Sequence, residues 1–138
     1  MAITAAVCNS YKQEILAGVH LSGDTYKIAL YTSAATLSKA TTAYSATNEV
    51  SGAGYTAGGA TLTGFANGLD TDTATLDFAD ASWPSATITA RGALIYNSSR
   101  SNKAVCVLDF GADITSTNGT FTVTFPAATA GAATVRIT

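Results

Sequence analysis

The period of the apolar residues changes once along this chain, and that change constrains the fold more than any other feature. From Thr4 to Val19, Val7, Tyr11 and Ile15 recur every fourth residue with Lys12, Gln13 and Glu14 between them, and Gly18 follows as a stop signal. This pattern predicts one amphipathic helix. From residue 24 onward the period shortens to that of strands: Tyr26, Ile28 and Leu30 share one face of Thr25–Thr32 while Lys27 and Tyr31 take the other. Further strand candidates are Ala60–Phe65, Thr75–Ala79, Ala86–Tyr96, Lys103–Phe110, Thr120–Phe125 and Thr134–Thr138, separated by Gly, Asn, Asp and Ser. Asn97–Asn102 reads as a hairpin loop and Thr117–Thr120 as a turn, with Pro84 and Pro126 at strand boundaries where a missing donor does least harm.

A chain of 138 residues is about one ordinary domain and buries a proper core. The expectation is a single domain over 1–138: a helical segment at 1–20, then a β-sandwich over 24–138 that carries a long loop at 33–59. The fold class is all-β, a jelly-roll-like antiparallel β-sandwich with one N-terminal α-helix.

Composition points away from catalysis. Only 12% of the residues are charged, against an ordinary fraction near about 25%. Thr and Ala make up roughly a third of the chain. β-branched Thr suits a pleated surface and supplies hydrogen bonds without the desolvation cost of an ion. The net charge is -2 and the seven basic residues (Lys12, Lys27, Lys39, Arg91, Arg100, Lys103, Arg136) are scattered in sequence, so no footprint for nucleic acid is expected. The N-terminus has neither the basic start nor the apolar run of a signal peptide, and no stretch is long enough to span a bilayer, which reads as a soluble chain made in the cytoplasm without a membrane partner. In such a chain Cys8 and Cys106, far apart in sequence, read as buried small hydrophobes rather than a disulfide.

The single His, His20, lies just past Gly18 and reads as a surface or capping residue rather than a general base, with no second His to make a metal site. Asp70-Thr71-Asp72 and the pair Asp77 and Asp80 supply too few oxygen ligands for a calcium loop and read as solvated turn carboxylates. The glycine-rich Gly52–Gly59 lacks the Lys-Ser or Lys-Thr ending of a phosphate loop and leads into strand-like residues instead of a helix. It belongs to Ser33–Gly59, which is either a flexible loop or an arm that orders on a neighbour. Trp83, Tyr44, Tyr55 and Tyr96 read as core aromatics, with a sugar-stacking platform as the alternative. No enzyme activity, cofactor or metal is expected.

Five stretches carry a resemblance that covers nearly the whole chain. They are Cys8–Leu16, Tyr26–Thr32, Thr41–Tyr55, Ile88–Asn97 and Val107–Gly111. Together they resemble small virion proteins of tailed bacteriophages and, in size and pattern, the jelly-roll capsid cement (decoration) protein of podophage-like virions. The resemblance implies a protein on the capsid exterior that clamps adjacent major capsid protein subunits, with a tail or fibre module binding another virion protein or a glycan as the alternative. It is expected to act as a homo-oligomer, a dimer before a trimer. The expected partner contacts are Val7, Tyr11 and Ile15 on the helical stripe, with Tyr44 and Tyr55 on the long loop.

Overall fold

The computed structural model describes residues 2–126, 128–129 and 132–137. The N-terminal segment meets the sheet before it turns helical: β1 (Ala6–Val7) pairs antiparallel with Val107 and Cys106, and α1 spans Asn9–Leu16 only. The helix expected over 4–19 is thus halved, and Val7 lies on a strand. Extended here, the segment pairs with the edge of β7, whose backbone groups a helix could not satisfy. An eight-residue helix is in any case too short to stand without packing, and α1 is held by buried Tyr11 and half-buried Ile15. It ends as the sequence indicates, with Gly18 in the left-handed region at φ 74° and Val19 N–H returning to Glu14 C=O.

The remaining elements are β2 (Tyr26–Tyr31), β3 (Ala60–Thr61), β4 (Ala66–Asp70), β5 (Thr73–Asp77), β6 (Ala81–Asn97), β7 (Lys103–Val123) and β8 (Val135–Ile137). They form a five-stranded sheet ordered β1-β7-β6-β2-β3 and a three-stranded sheet ordered β4-β5-β8, every strand pair being antiparallel. This is the expected all-β, sandwich-like fold with one short helix. β2 is covered on both faces: Ile28 and Leu30 are fully buried in the core with Leu94, Ile95, Val105 and Val107, while Ala29 and Tyr31 on the other face are also buried, Tyr31 OH donating to Ser45 C=O.

Three strand boundaries differ from expectation, each for a local reason. Lys103–Phe110 and the Thr120–Val123 part of Thr120–Phe125 are the two ends of one strand, β7, which runs without a chain reversal between them. Thr117-Asn118-Gly119, which reads as a turn, lies where the ladder slips between Ala86 and Ile88. Asn118 takes φ 48° there, and its N–H donates to Thr87 Oγ1 at 2.9 Å. Pro84 lies inside β6 rather than at its boundary, because the slip between Trp83 and Ala86, with Ser85 at φ 52°, leaves it outside the ladder. Of the Ala60–Phe65 run only Ala60–Thr61 is strand, since Gly64 at φ 68° turns the chain toward β4, which begins at Ala66. Asn97–Asn102 forms the β6–β7 hairpin loop as read, and Asp70-Thr71-Asp72 forms the tip of the β4–β5 hairpin. Thr138, the last residue of the final strand candidate, lies outside the described residues.

Residues 33–59 form neither a free arm nor a strand but a strap across the large sheet. One end hydrogen-bonds β2, through Val50 N–H to Leu30 C=O. The middle reaches the β7 side, where Tyr44 N–H donates to Asn102 C=O and Ala104 N–H to Thr42 C=O. Its anchor is Glu49, whose carboxylate accepts from Tyr44 OH at 2.6 Å, Tyr55 OH at 2.5 Å and Gly58 N–H at 2.8 Å. Tyr96 OH donates to Gly58 C=O at 2.6 Å, and its ring stacks on that of Tyr44 with centroids 4.8 Å apart. The glycine-rich run is explained by proximity to backbone. A Cβ on Gly59, which has φ 81°, would stand 1.8 Å from Ile28 C=O, and one on Gly52 would stand 2.4 Å from Thr87 C=O.

Of the aromatics expected in the core, Trp83, against Phe121 and Tyr55, and Tyr96 are buried, whereas Tyr44 and Tyr55 are only half-buried against it. Cys8 and Cys106 are free and buried, and burial pushes the Cys8 thiol up to about 11.

Gly59→Ala is expected to destabilise the protein by about 3 kcal/mol, because the left-handed backbone and the approach to Ile28 both oppose a methyl group. Chemical denaturation of the variant against the parent measures this. A second expectation follows from the phenols. Burial first, then the bond to Glu49, raises Tyr44 and Tyr55 well above the ordinary range, and burial raises Tyr31 and Tyr96. A folded-state value above the unfolded one gives stability that is complete below about pH 10, the unfolded value. That stability is lost as pH rises beyond it. Denaturant midpoints should therefore fall above about pH 10, together with the appearance of phenolate absorbance.

Candidate docking groove

Charged side chains near the N-terminus are spent on tying α1 to the β6–β7 hairpin loop. Arg100 donates from Nε and Nη2 to the two oxygens of Asp24 at 2.9 and 3.0 Å, and this pairing holds the Asp24 carboxyl far below the usual carboxylate range. Asn97, fully buried at the end of β6, donates from Nδ2 to Asp24 at 2.9 Å and faces His20 Nδ1 at 3.1 Å, while its Oδ1 accepts from Ser99 N–H. His20 Nε2 lies 2.9 Å from Glu14 Oε1, and Lys103 Nζ lies 3.3 Å from Glu14 Oε2. The His20 side chain is only 1% exposed, so the ring is a buried tie and not the surface residue its position after Gly18 indicates. Its neighbour Tyr11 packs against it with centroids 4.8 Å apart and the rings tilted by 48°.

Held in this way, α1 forms one wall of a groove of about 530 Å³ whose other walls are β1 and β8. Val7, Ile15, Leu16 and Ile137 give it an apolar lining, Tyr11 closes its inner end, and Lys12, Lys39 and Arg136 stand around it. Leu16 is 90% exposed and Ile137 48%, which places two of the largest exposed apolar side chains among the described residues at one opening. Tyr11 and Ile137 also line a second cavity of about 370 Å³ between α1 and the small sheet, with Leu21, Leu76 and Val135.

Of the residues expected to touch a partner, the structure brings Val7, Tyr11 and Ile15 together at this groove. Tyr44 and Tyr55 lie elsewhere, half-buried on the strap, with their hydroxyls turned inward on Glu49. Sequence reading missed Leu16, Lys12, Lys39, Arg136 and Ile137. Leu16 is the apolar residue next to the period-four stripe and was legible as off-stripe. The three cations stand far apart in sequence, and the fold collects them by pairing β1 on β7 and β8 on β5 and by the bond from Asn9 N–H to Lys39 C=O.

The other acidic candidates carry structural bonds. Asp77 Oδ1 accepts from Phe78 N–H and the Thr134 hydroxyl, and Asp80 Oδ1 accepts from Phe125 N–H. Among the described residues no group of three or more His, Cys, Asp or Glu side chains is arranged to hold a metal ion.

No protein-family model, curated protein or solved structure matches the chain. The reading of the groove therefore rests on its own geometry, which offers apolar contact area beside basic side chains.

Replacing Asn97 with Ala removes partners from His20, Asp24 and Ser99 at once in a buried position. It is expected to cost about 3 kcal/mol and to loosen α1. Hydrogen exchange of the α1 amides, read beside the global unfolding free energy, checks both effects.

Proposed function

We propose that this chain is a non-enzymatic capsid cement, or decoration, protein of a bacteriophage virion, one that docks on the outer shell and stabilises contacts between major capsid protein subunits. The resemblance of Cys8–Leu16, Tyr26–Thr32, Thr41–Tyr55, Ile88–Asn97 and Val107–Gly111 to small phage virion proteins gives the reading its biological setting. One structural observation carries it. Glu14, His20, Asp24, Glu49 and Arg100 are spent on internal ties, whereas Leu16 and Ile137 are turned outward at one groove. That distribution suits a protein whose work is contact. A standard interface of about 800 Å² per partner gains most when its centre is desolvated without stranding charge. A subunit that touches two shell proteins at once makes its second contact effectively intramolecular.

In this reading the protein acts as a homo-oligomer on the capsid exterior. The sugar-binding form of the tail alternative draws little support, because Trp83 is 5% exposed and Tyr96 2%, leaving no open platform of rings.

Purified protein mixed with shells that lack it should co-sediment with empty heads and not with purified tails. The reverse partition overturns the cement reading in favour of a tail or fibre module.

A further inference from the structure

We infer that an apolar tract running from α1 across the small sheet is the surface through which two copies of this chain pair. The inference rests on the contact reading above and names the partner at that contact, leaving the other faces of the pair to shell subunits. Three observations converge on it. First, the exposed apolar side chains are gathered. Of the five large ones among the described residues, Leu16, Leu21, Leu69 and Ile137 belong to one tract. Ile137 borders the groove with Leu16 and the second cavity with Leu21. In the small sheet Leu69 pairs with Ala74 and Ala74 with Ile137, so the three side chains form a row on one face. Second, that face is the core-facing one. Leu76 and Val135, paired two residues farther along the same face, are buried, whereas Leu69 is 74% exposed. The row is thus the end of the core face that this chain leaves uncovered. Third, the charges at the two ends of the tract are opposite in sign. Lys12 and Lys39 are exposed beside Leu16 at the α1 end, and Asp72 is exposed at the tip of the β4–β5 hairpin, at the Leu69 end.

A second copy rotated by half a turn matches all three. About a two-fold axis between Ile137 and Ala74, Leu69 of each copy meets the Leu16 end of the other, and Asp72 of each faces Lys12 and Lys39 of the other. Both ends are used at once, so the contact closes at two copies and leaves no free end to recruit a third. Burial of the apolar row drives the pairing, while the exposed charges, each contributing little, fix its direction. An anionic amphiphile answers Lys12 and Lys39 but not Asp72.

The test uses the intact protein without shells, in analytical ultracentrifugation over a concentration series and in native mass spectrometry. The parent should form a dimer. Leu69→Asp and Leu16→Asp, at the two ends of the tract, should each weaken it roughly tenfold or more. Ile114→Asp, at an exposed residue on the outer half of β7, is the control and should leave it unchanged. Charge reversal then reads the orientation. D72K alone and K12E/K39E alone place like charges against each other at both ends of a two-fold contact, so each should dimerise more weakly than the parent. Mixed in equal amounts, the two variants should form a heterodimer in preference to either homodimer, because both ends of the mixed pair are again opposite in sign. All these side chains are exposed, and circular dichroism confirms the fold of each variant.

A parent that stays monomeric throughout the series overturns the inference, as does a dimer that survives Leu69→Asp and Leu16→Asp. A trimer or larger ring overturns the two-fold arrangement, and so does a mixture of the reversed variants that shows no preference for the heterodimer. A monomeric parent whose shell binding is lost in Leu16→Asp and Leu69→Asp assigns the tract to the shell instead of a second copy. Because dimerisation is measured without shells, the two readings fail separately. A dimer with the expected variant behaviour that binds no shells leaves the pairing surface standing and sinks cement, whereas a monomer that decorates shells does the opposite.

Discussion

The β6–β7 pairing is the constraint on which the other contacts depend. The two strands are joined by the short loop after Asn97, so closing this hairpin costs little chain entropy for a ladder that runs from Asn97 and Lys103 out to Ala81 and Val123. Everything else attaches to it afterwards. β2 lies along the loop half of β6, β1 along β7, and the strap crosses from β2 to the start of β7. Asn97 and Arg100, at the hairpin's closed end, supply the polar ties that fix Asp24 and His20 and so set the position of α1. A change at the hairpin loop therefore reaches the groove even though no loop residue lines it.

Low charge density takes on a definite meaning in this fold. A chain with few ionisable groups has used several of them in pairs or clusters that hold irregular segments against regular ones. Arg100 and Asp24 fasten the chain before β2, and Glu49 with its tyrosines fastens the strap. The Glu49 carboxylate is shielded in part by the sheet, and its oxygens each have at least one donor, which is the condition under which a shielded charge is tolerable. The tyrosines satisfy it while contributing ring area to the core, a combination aliphatic side chains cannot provide.

The sequence made the fold class legible because Tyr26, Ile28 and Leu30 do share a buried face, because the alternation in Phe121–Val123 survives, and because Gly18 and Asn97–Asn102 stop their elements where their chemistry demands. It misled where one residue type serves two purposes. Pro84 and Asn118-Gly119 have the composition of strand ends, yet both occur at bulges inside strands, and nothing local distinguishes a reversal from a one-residue slip. The spacing of Val7, Tyr11 and Ile15 matched a helix although Val7 is on a strand. The same three residues still share one face, because the strand delivers Val7 to the side where α1 begins. The groove itself was only partly legible, since the approach of β8 to β1 is a property of how two sheets close and leaves no mark near either strand.

The outer half of the β6–β7 ribbon carries a consequence for crowding. Along it the ladder slips between Trp83 and Ala86, between Ala86 and Ile88, and again between Ala90 and Gly92, where Phe110–Asp113 face Arg91 alone. Each slip changes the phase of the backbone donors and acceptors, so the ribbon has no long edge of constant repeat. A neighbouring copy brought alongside finds a few matching amides and then a mismatch. Long threonine-rich strands are ordinarily a hazard when many copies are held close together. Here the irregularities interrupt any strand that would run alongside the ribbon, which disfavours its extension into a continuous sheet.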